Sequence, residues 1–124
     1  MNYKVLIVDD SPTMRQLLAF SLKRIRGVTI VEAKDGMEGL KKVTTDTFDL
    51  ALIDITMPVM DGLKLIHMIR TEENMDELPI VVITTEGADA DRERALELGA
   101  NEYLTKPVQG SEVLAVARKF LDGL

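Results

Sequence analysis

Five short apolar runs recur along the chain, each bounded by turn-forming or polar residues: KVLIV from Lys4, VTIVEA from Val28, DLALI from Asp49, PIVVI from Pro79 and NEYLT from Asn101. Their length and their Val, Ile and Leu content predict strands of a buried sheet. Between them the apolar positions change to helical spacing: Met14, Leu17, Leu18, Leu22 and Ile25, then Leu63, Ile66 and Ile69, then Val113, Leu114, Ala117 and Leu121. The pattern predicts strand-helix alternation repeated five times.

The punctuation between runs agrees. Ser11 is a good N-cap with Pro12 at the first helical position, and Arg26-Gly27 and Leu98-Gly99 supply glycines suited to ending helices. KDG at Lys34 and MDG at Met60 read as turns just before the second and third helices. Such alternation implies an α/β fold, a doubly wound parallel sheet with helices on both faces and right-handed crossovers.

Composition narrows the class. A chain of 124 residues fits one domain, 1–124, and 46% hydrophobic with 29% charged residues is ordinary for a globular protein. The 15 basic against 21 acidic residues give a net charge of -6, which disfavours direct nucleic-acid binding and attraction to anionic membranes. The absence of cysteine excludes disulfides, thiolate chemistry and Cys-type zinc sites. The first apolar run meets Asp9 after four residues, too short for a signal-peptide core or for membrane insertion, so a cytoplasmic location is the expectation.

In an open parallel sheet, ligands bind beyond the carboxyl ends of the strands, near the point where strand order reverses. The residues following each run are Asp9 and Asp10, then Asp54, then Thr84 and Thr85, then Lys106 and Pro107; the second run is followed by no comparable cluster. If the strand order is 2-1-3-4-5, three carboxylates, a hydroxyl and an ammonium converge in one crevice. Unit charges about 5 Å apart at an effective dielectric of about 20 repel by roughly 3 kcal/mol per pair, so the carboxylates call for a counter-charge.

A divalent cation supplies it. Oxygen ligands without His or Cys select magnesium, manganese or calcium, and a shallow site with few protein ligands suits partly hydrated Mg2+. An ion with open positions, facing Lys106 and a hydroxyl, forms a clamp for the oxygens of a phosphoryl group. Asp54, on the strand between the other acids and Lys106, is the candidate nucleophile for an acyl phosphate.

These residues resemble the receiver domains of bacterial response regulators, most closely the single-domain chemotaxis (CheY-like) type. The resemblance rests on VDDSPTMR from Val8, DITMPVMDG from Asp54, ITTEGA from Ile83 and GANEYLTKP from Gly99, in the family's order and approximate spacing. It implies a flavodoxin-like (β/α)5 fold with strand order 2-1-3-4-5, of which this family is itself a standard example. It also implies that Asp54 is the phosphoacceptor, that Asp10 binds Mg2+ directly, and that Asp9 acts mainly through metal-bound water. Thr56 would give a backbone carbonyl to the metal. Thr84 would move to bind the phosphoryl group, Lys106 would contact it, and Tyr103 would turn inward on activation. The Lys106-Pro107 peptide bond is typically cis in the family. A histidine kinase is the implied phosphoryl donor, and a target protein is expected on the face of the fourth helix, fifth strand and fifth helix.

Taken singly, each of these residues has an ordinary structural reading. Paired acids before a helix suit its positive dipole end, Asp54 could be a turn residue, Lys106 a solvated cation, and Tyr103 half-buried packing. His67, the only histidine, falls within the third helix away from the strand ends, and no Ser-His-Asp triad can be built around it. The acids of EGADADRERALE read as a solvated helix face with local pairing to Arg92 and Arg94.

Two positions depart from the commonest family pattern: Thr56 stands where Asn is frequent, and Val108 where Phe is common. The preferred reading is a phosphorylation-controlled switch of a two-component system, in chemotaxis or motility for the single-domain type, that assists its own phosphorylation without being a classical enzyme. The alternative is a metal-dependent phosphatase or phosphotransferase with an aspartyl-phosphate intermediate. Haloacid dehalogenase-like enzymes, which also use a strand-end Asp, place two acids as D-x-D on one strand, whereas here Asp9 and Asp10 are adjacent. The chain ends shortly after the fifth helix, so no output domain is expected within it.

Overall fold

A computed structural model describes residues 2–85 and 87–121. Strands β1 (Tyr3–Val8), β2 (Val28–Ala33), β3 (Leu50–Asp54), β4 (Ile80–Thr84) and β5 (Glu102–Thr105) alternate with helices α1 (Pro12–Leu22), α2 (Gly36–Thr45), α3 (Gly62–Thr71), α4 (Asp89–Leu98) and α5 (Gly110–Leu121). The strands form one parallel sheet in the order β2-β1-β3-β4-β5, as the family resemblance implies. Among the described residues, no helix is long and apolar enough to cross a membrane.

The central strands β3 and β4 are buried at every position and apolar up to their last residues, Asp54 and Thr84, because both faces of the sheet are covered. Along β1, Leu6 and Val8 face one core with Ile53, Val82, Leu65, Ile66, Ile69 and Ala95. Val5 and Ile7 face the other, with Leu52, Ile83, Leu18, Leu22, Val113 and Ala117. Successive strand residues thus serve opposite helical layers, α2, α3 and α4 on one side and α1 and α5 on the other.

The helix starts follow the sequence signals. Ser11, Asp35 and Asp61 are N-caps whose side chains accept from the amides of Met14, Glu38 and Lys64. One boundary differs: α1 stops at Leu22, short of Gly27. Ile25, counted by periodicity with that helix, is buried in the following turn, its amide bonded to Leu22 O at 2.9 Å. The chain must reverse there to enter β2, and Gly27 takes the left-handed φ of 82° at the end of that reversal. Gly99, at φ 118°, does close α4 as predicted. Arg70 of α3 clamps that corner, donating to Gly99 O through Nε and Nη2 at 3.1 and 2.8 Å.

Helix α4 is the most loosely anchored element on its face. Only Ala95 of its ten residues is buried, and its N-cap position, Ala88, offers no side-chain bond. Its charges pair locally, Arg92 with Asp89 at 3.3 Å and Arg94 with Glu97 at 3.8 Å.

Register determines what meets at the sheet's carboxyl edge. Val8 lies level with Ala33 and Ile53, Asp54 with Ile83, and Thr84 with Thr105. Asp9, Asp54, Thr84 and Lys106 therefore come from adjacent strand ends.

Candidate functional site

Asp9 is the first residue beyond β1, fully buried, and almost every polar atom it has is engaged. Its amide donates to Ala33 O at 3.1 Å, and its Oδ1 accepts from the Ser11 amide at 2.8 Å. Its main-chain carbonyl accepts from Arg15 Nη1 at 2.7 Å. Its Oδ2 is buried without a hydrogen-bond partner. An acceptor left unpaired in that way costs about 1–3 kcal/mol, so it marks where a cation fits. One carboxylate oxygen from each of Asp9, Asp10 and Asp54 lies within 4.8 Å of the others, with Asp10 exposed and the other two buried. An all-oxygen, all-carboxylate donor set of this kind fits a hard divalent cation.

Asp54 is the last residue of β3 and only 2% exposed. The chain beyond it is drawn tightly back: the Ile55 amide donates to Ile83 O at 3.1 Å and the Gly62 amide to Ile55 O at 2.8 Å. A Cβ on Gly62 would lie 2.4 Å from Asp54 O and 2.8 Å from Ile55 Cα, so only glycine lets the start of α3 seat against the end of β3. Thr56 follows in that loop, exposed, two residues beyond Asp54.

From the other side, Lys106 Nζ approaches Asp54 Oδ1 to 3.3 Å. Its backbone is tied to the neighbouring strand, the Lys106 amide donating to Thr84 O at 2.7 Å, and the Lys106-Pro107 peptide bond is cis. Thr84, buried at the end of β4, completes the row. Tyr103 stands apart from it. The residue is 38% exposed, and its ring lies beneath the Arg92 guanidinium, which is 4.7 Å from the ring centroid.

Burial sets the charge state of the cluster. The Asp54 carboxyl is pushed up to about 6, first by desolvation and then by the Asp9 carboxylate, with Lys106 opposing both. Asp9 is also raised by burial, against the Ser11 amide bond and the Lys106 charge. A cation at the three carboxylates would reverse that logic and hold them ionised.

The structure thus brings Asp9, Asp10, Asp54 and Lys106 together, sets Thr84 on the adjacent strand end, and leaves Tyr103 at the surface. Arg15 and Gly62 belong to the same construction and were not singled out by sequence. Both act through main-chain atoms, which leave no sequence signature beyond the MDG turn and the helical offset of Arg15 from Ser11.

Compared with known proteins, residues 5–118 match the family described as the response regulator receiver domain. The chain is 40% identical over 105 residues to the chemotaxis protein CheY1 of Helicobacter pylori, covering 84% of this chain and 85% of that one. It is 37% identical over 121 residues to the alkaline phosphatase synthesis transcriptional regulatory protein PhoP of Bacillus subtilis; that match covers 98% of this chain, which spans 49% of that longer protein. Among solved structures, the chemotaxis response regulator CheY4 of Vibrio cholerae superposes with a TM-score of 0.88 at 31% identity, covering 98% of this chain and all of that one (100%).

Proposed function

This chain belongs to the response regulator receiver domain family, and on that premise we propose that residues 1–124 act as one phosphorylation-controlled binding switch in which Asp54 is the phosphoacceptor. A receiver domain is a signalling regulator, so a phosphatase acting on a small substrate no longer competes as a reading. The observation that carries the proposal is the position of Asp54, buried between the orphaned Asp9 carboxylate oxygen on one side and the Lys106 ammonium at 3.3 Å on the other.

Asp9, Asp10, Asp54 and the main-chain carbonyl of Thr56 are the groups that would hold Mg2+. Bound there, the ion would neutralise phosphoryl oxygens and relieve the repulsion among the three acids. With its carboxyl at about 6, Asp54 is ionised at neutral pH. One of its oxygens attacks the phosphorus of a phosphohistidine on the partner kinase. The new P–O bond forms as the P–N bond breaks, and the electron pair departs with the imidazole nitrogen. Lys106 steers the transferring group and donates to its oxygens, a task for a compact point charge on a flexible stem.

The phosphoryl group adds nearly two negative charges at the head of β3. Thr84 supplies a hydroxyl donor from β4 and moves toward it; the space opened behind β4 admits Tyr103 from its exposed position. That changes the α4–β5–α5 face on which a target protein is expected. The identity to CheY1 supports a chemotaxis or motility output, and the match to about half of PhoP supports the same switch serving a longer regulator. The test is labelling with acetyl phosphate in Mg2+: phosphate should map to Asp54 and be labile to hydroxylamine. Mapping it to Thr84, Thr85 or Ser11 would overturn the mechanism.

A further inference from the structure

Three features of the molecule have no part in the chemistry proposed for Asp54. A groove of about 420 Å³ at the amino edge of the sheet, lined by Phe48, Met75 and Leu78 with Asp46, Asp76 and Glu77, has no further feature that identifies an occupant. The exposed Phe20 and Leu17 of α1 are likewise uncovered. Arg15 is different, because one of its contacts reaches the main chain of the acidic cluster and the other ties it to the edge strand β2.

Arg15 lies in the second turn of α1, its side chain only 17% exposed, and forms a bridge. Nη1 donates at 2.7 Å to the main-chain carbonyl of Asp9, while Nε bonds Glu32 Oε1 at 3.0 Å near the end of β2. The carbonyl it grips belongs to the peptide joining Asp9 to Asp10, the two acids that β1 contributes to the cluster. With the Asp9 amide on Ala33 and Oδ1 on Ser11, that contact leaves Oδ2 as the single uncommitted polar atom of Asp9. The planar fork of a guanidinium can serve both partners at once, holding the peptide plane against the edge strand.

We propose that Arg15 is a positioning residue for the metal site: by clamping the Asp9–Asp10 peptide to Glu32, it aims the two carboxylates at a common cation. This rests on the reading of Asp9, Asp10 and Asp54 as Mg2+ ligands. It makes a prediction opposite in sign to simple electrostatics. Removing a cation from beside three carboxylates should tighten Mg2+ binding if charge alone matters. Losing the clamp should weaken it, and groups that orient ligands commonly carry roughly tenfold or more in metal affinity.

The experiment measures Mg2+ affinity by calorimetric titration for the parent, Arg15→Ala and Arg15→Lys, with amide hydrogen exchange at Ser11 followed by NMR in the metal-free proteins. The expected result is roughly tenfold weaker binding by Arg15→Ala, partial recovery with Arg15→Lys, which can still donate to the Asp9 carbonyl, and faster exchange at Ser11 in the alanine variant. Unchanged or tighter binding by a folded Arg15→Ala would overturn the inference while leaving the Mg2+ site standing. Weaker binding with Ser11 exchange unaltered would overturn the positioning route. Should Arg15→Ala fail to fold, Glu32→Ala, at an exposed position, removes the other anchor; because loss of its charge alone also weakens Mg2+ binding, it must in addition speed exchange at Ser11 in the metal-free protein, or the clamp is refuted. A parent protein that binds no Mg2+ would overturn the underlying reading and this inference with it.

Discussion

Lys106 Nζ lies 3.3 Å from Asp54 Oδ1, and yet the Asp54 carboxyl still titrates at about 6. One ammonium, itself a quarter exposed, does not offset the cost of burying that carboxylate beside Asp9. The consequence is a measurable pH dependence. Asp54 binds its proton more tightly in the folded chain than at the ordinary aspartate value of 3.8, so its contribution to stability is greatest below that value and is lost as pH rises through about 6. Metal-free protein should lose up to about 3 kcal/mol between pH 4 and pH 7 from this group, with Asp9 acting in the same direction. Urea unfolding across that range, for the parent and for Asp54→Asn, checks it. The variant should show a flatter profile and greater stability at pH 8.

Asp10 is the exposed member of the acidic cluster, so its replacement should separate ion binding from folding. Asp10→Asn is expected to reduce Mg2+ affinity sharply while changing the unfolding midpoint little, because surface substitutions ordinarily fall within about 0.5 kcal/mol. Calorimetric titration that found undiminished affinity would place the ion elsewhere.

Thr84, buried at the end of β4, is proposed both to bind the transferred phosphoryl group and to couple its arrival to Tyr103. Thr84→Ala should still accept a phosphoryl group on Asp54, whereas the phosphorylated variant should bind its target more weakly than the phosphorylated parent. Equal affinities would break the proposed route from Asp54 through Thr84 to Tyr103.

The Arg92 guanidinium over the Tyr103 ring stabilises the exposed position of that ring. Such a contact at a partly exposed site contributes about 0.5–1 kcal/mol, or roughly a two- to fivefold change in population. Since phosphorylation can only bias an equilibrium between two arrangements that both exist, Arg92→Ala should enlarge the inward population of Tyr103 without phosphate. Fluorine NMR of fluorotyrosine-labelled protein would report it, and an unchanged ring population would remove Arg92 from the switch.

Much of this protein's architecture is legible in its sequence. The apolar runs at Val5, Leu50 and Val81 and the helical spacing of Ile66 and Ile69 are local patterns, imposed by the need to cover both sheet faces. The N-cap role of Ser11 depends on a neighbour three residues away, whereas Asp35 and Asp61 read only as turn residues and the fold shows them accepting from the amides of Glu38 and Lys64. Strand-end carboxylates and a strand-end lysine needed only the topology to bring them together. The end of α1 was less legible, because Ile25 continues the helical period while packing from a turn.

What the sequence alone determined, then, is which elements form and which charged side chains crown the sheet, since periodicity, caps and residue type are short-range properties. The tertiary structure decided the rest, through contacts between distant segments and through main-chain atoms that residue names do not reveal. Gly62 reads as half of a turn signal, but its true constraint is Asp54 O, 2.4 Å from where its Cβ would stand. Arg15 reads as a polar position on α1, and only the approach of β2 and the Asp9 carbonyl turns it into a clamp. The raised titration of Asp54 likewise arises from burial and from Asp9 on the adjacent strand, because desolvation and charge repulsion exist only once the sheet has assembled.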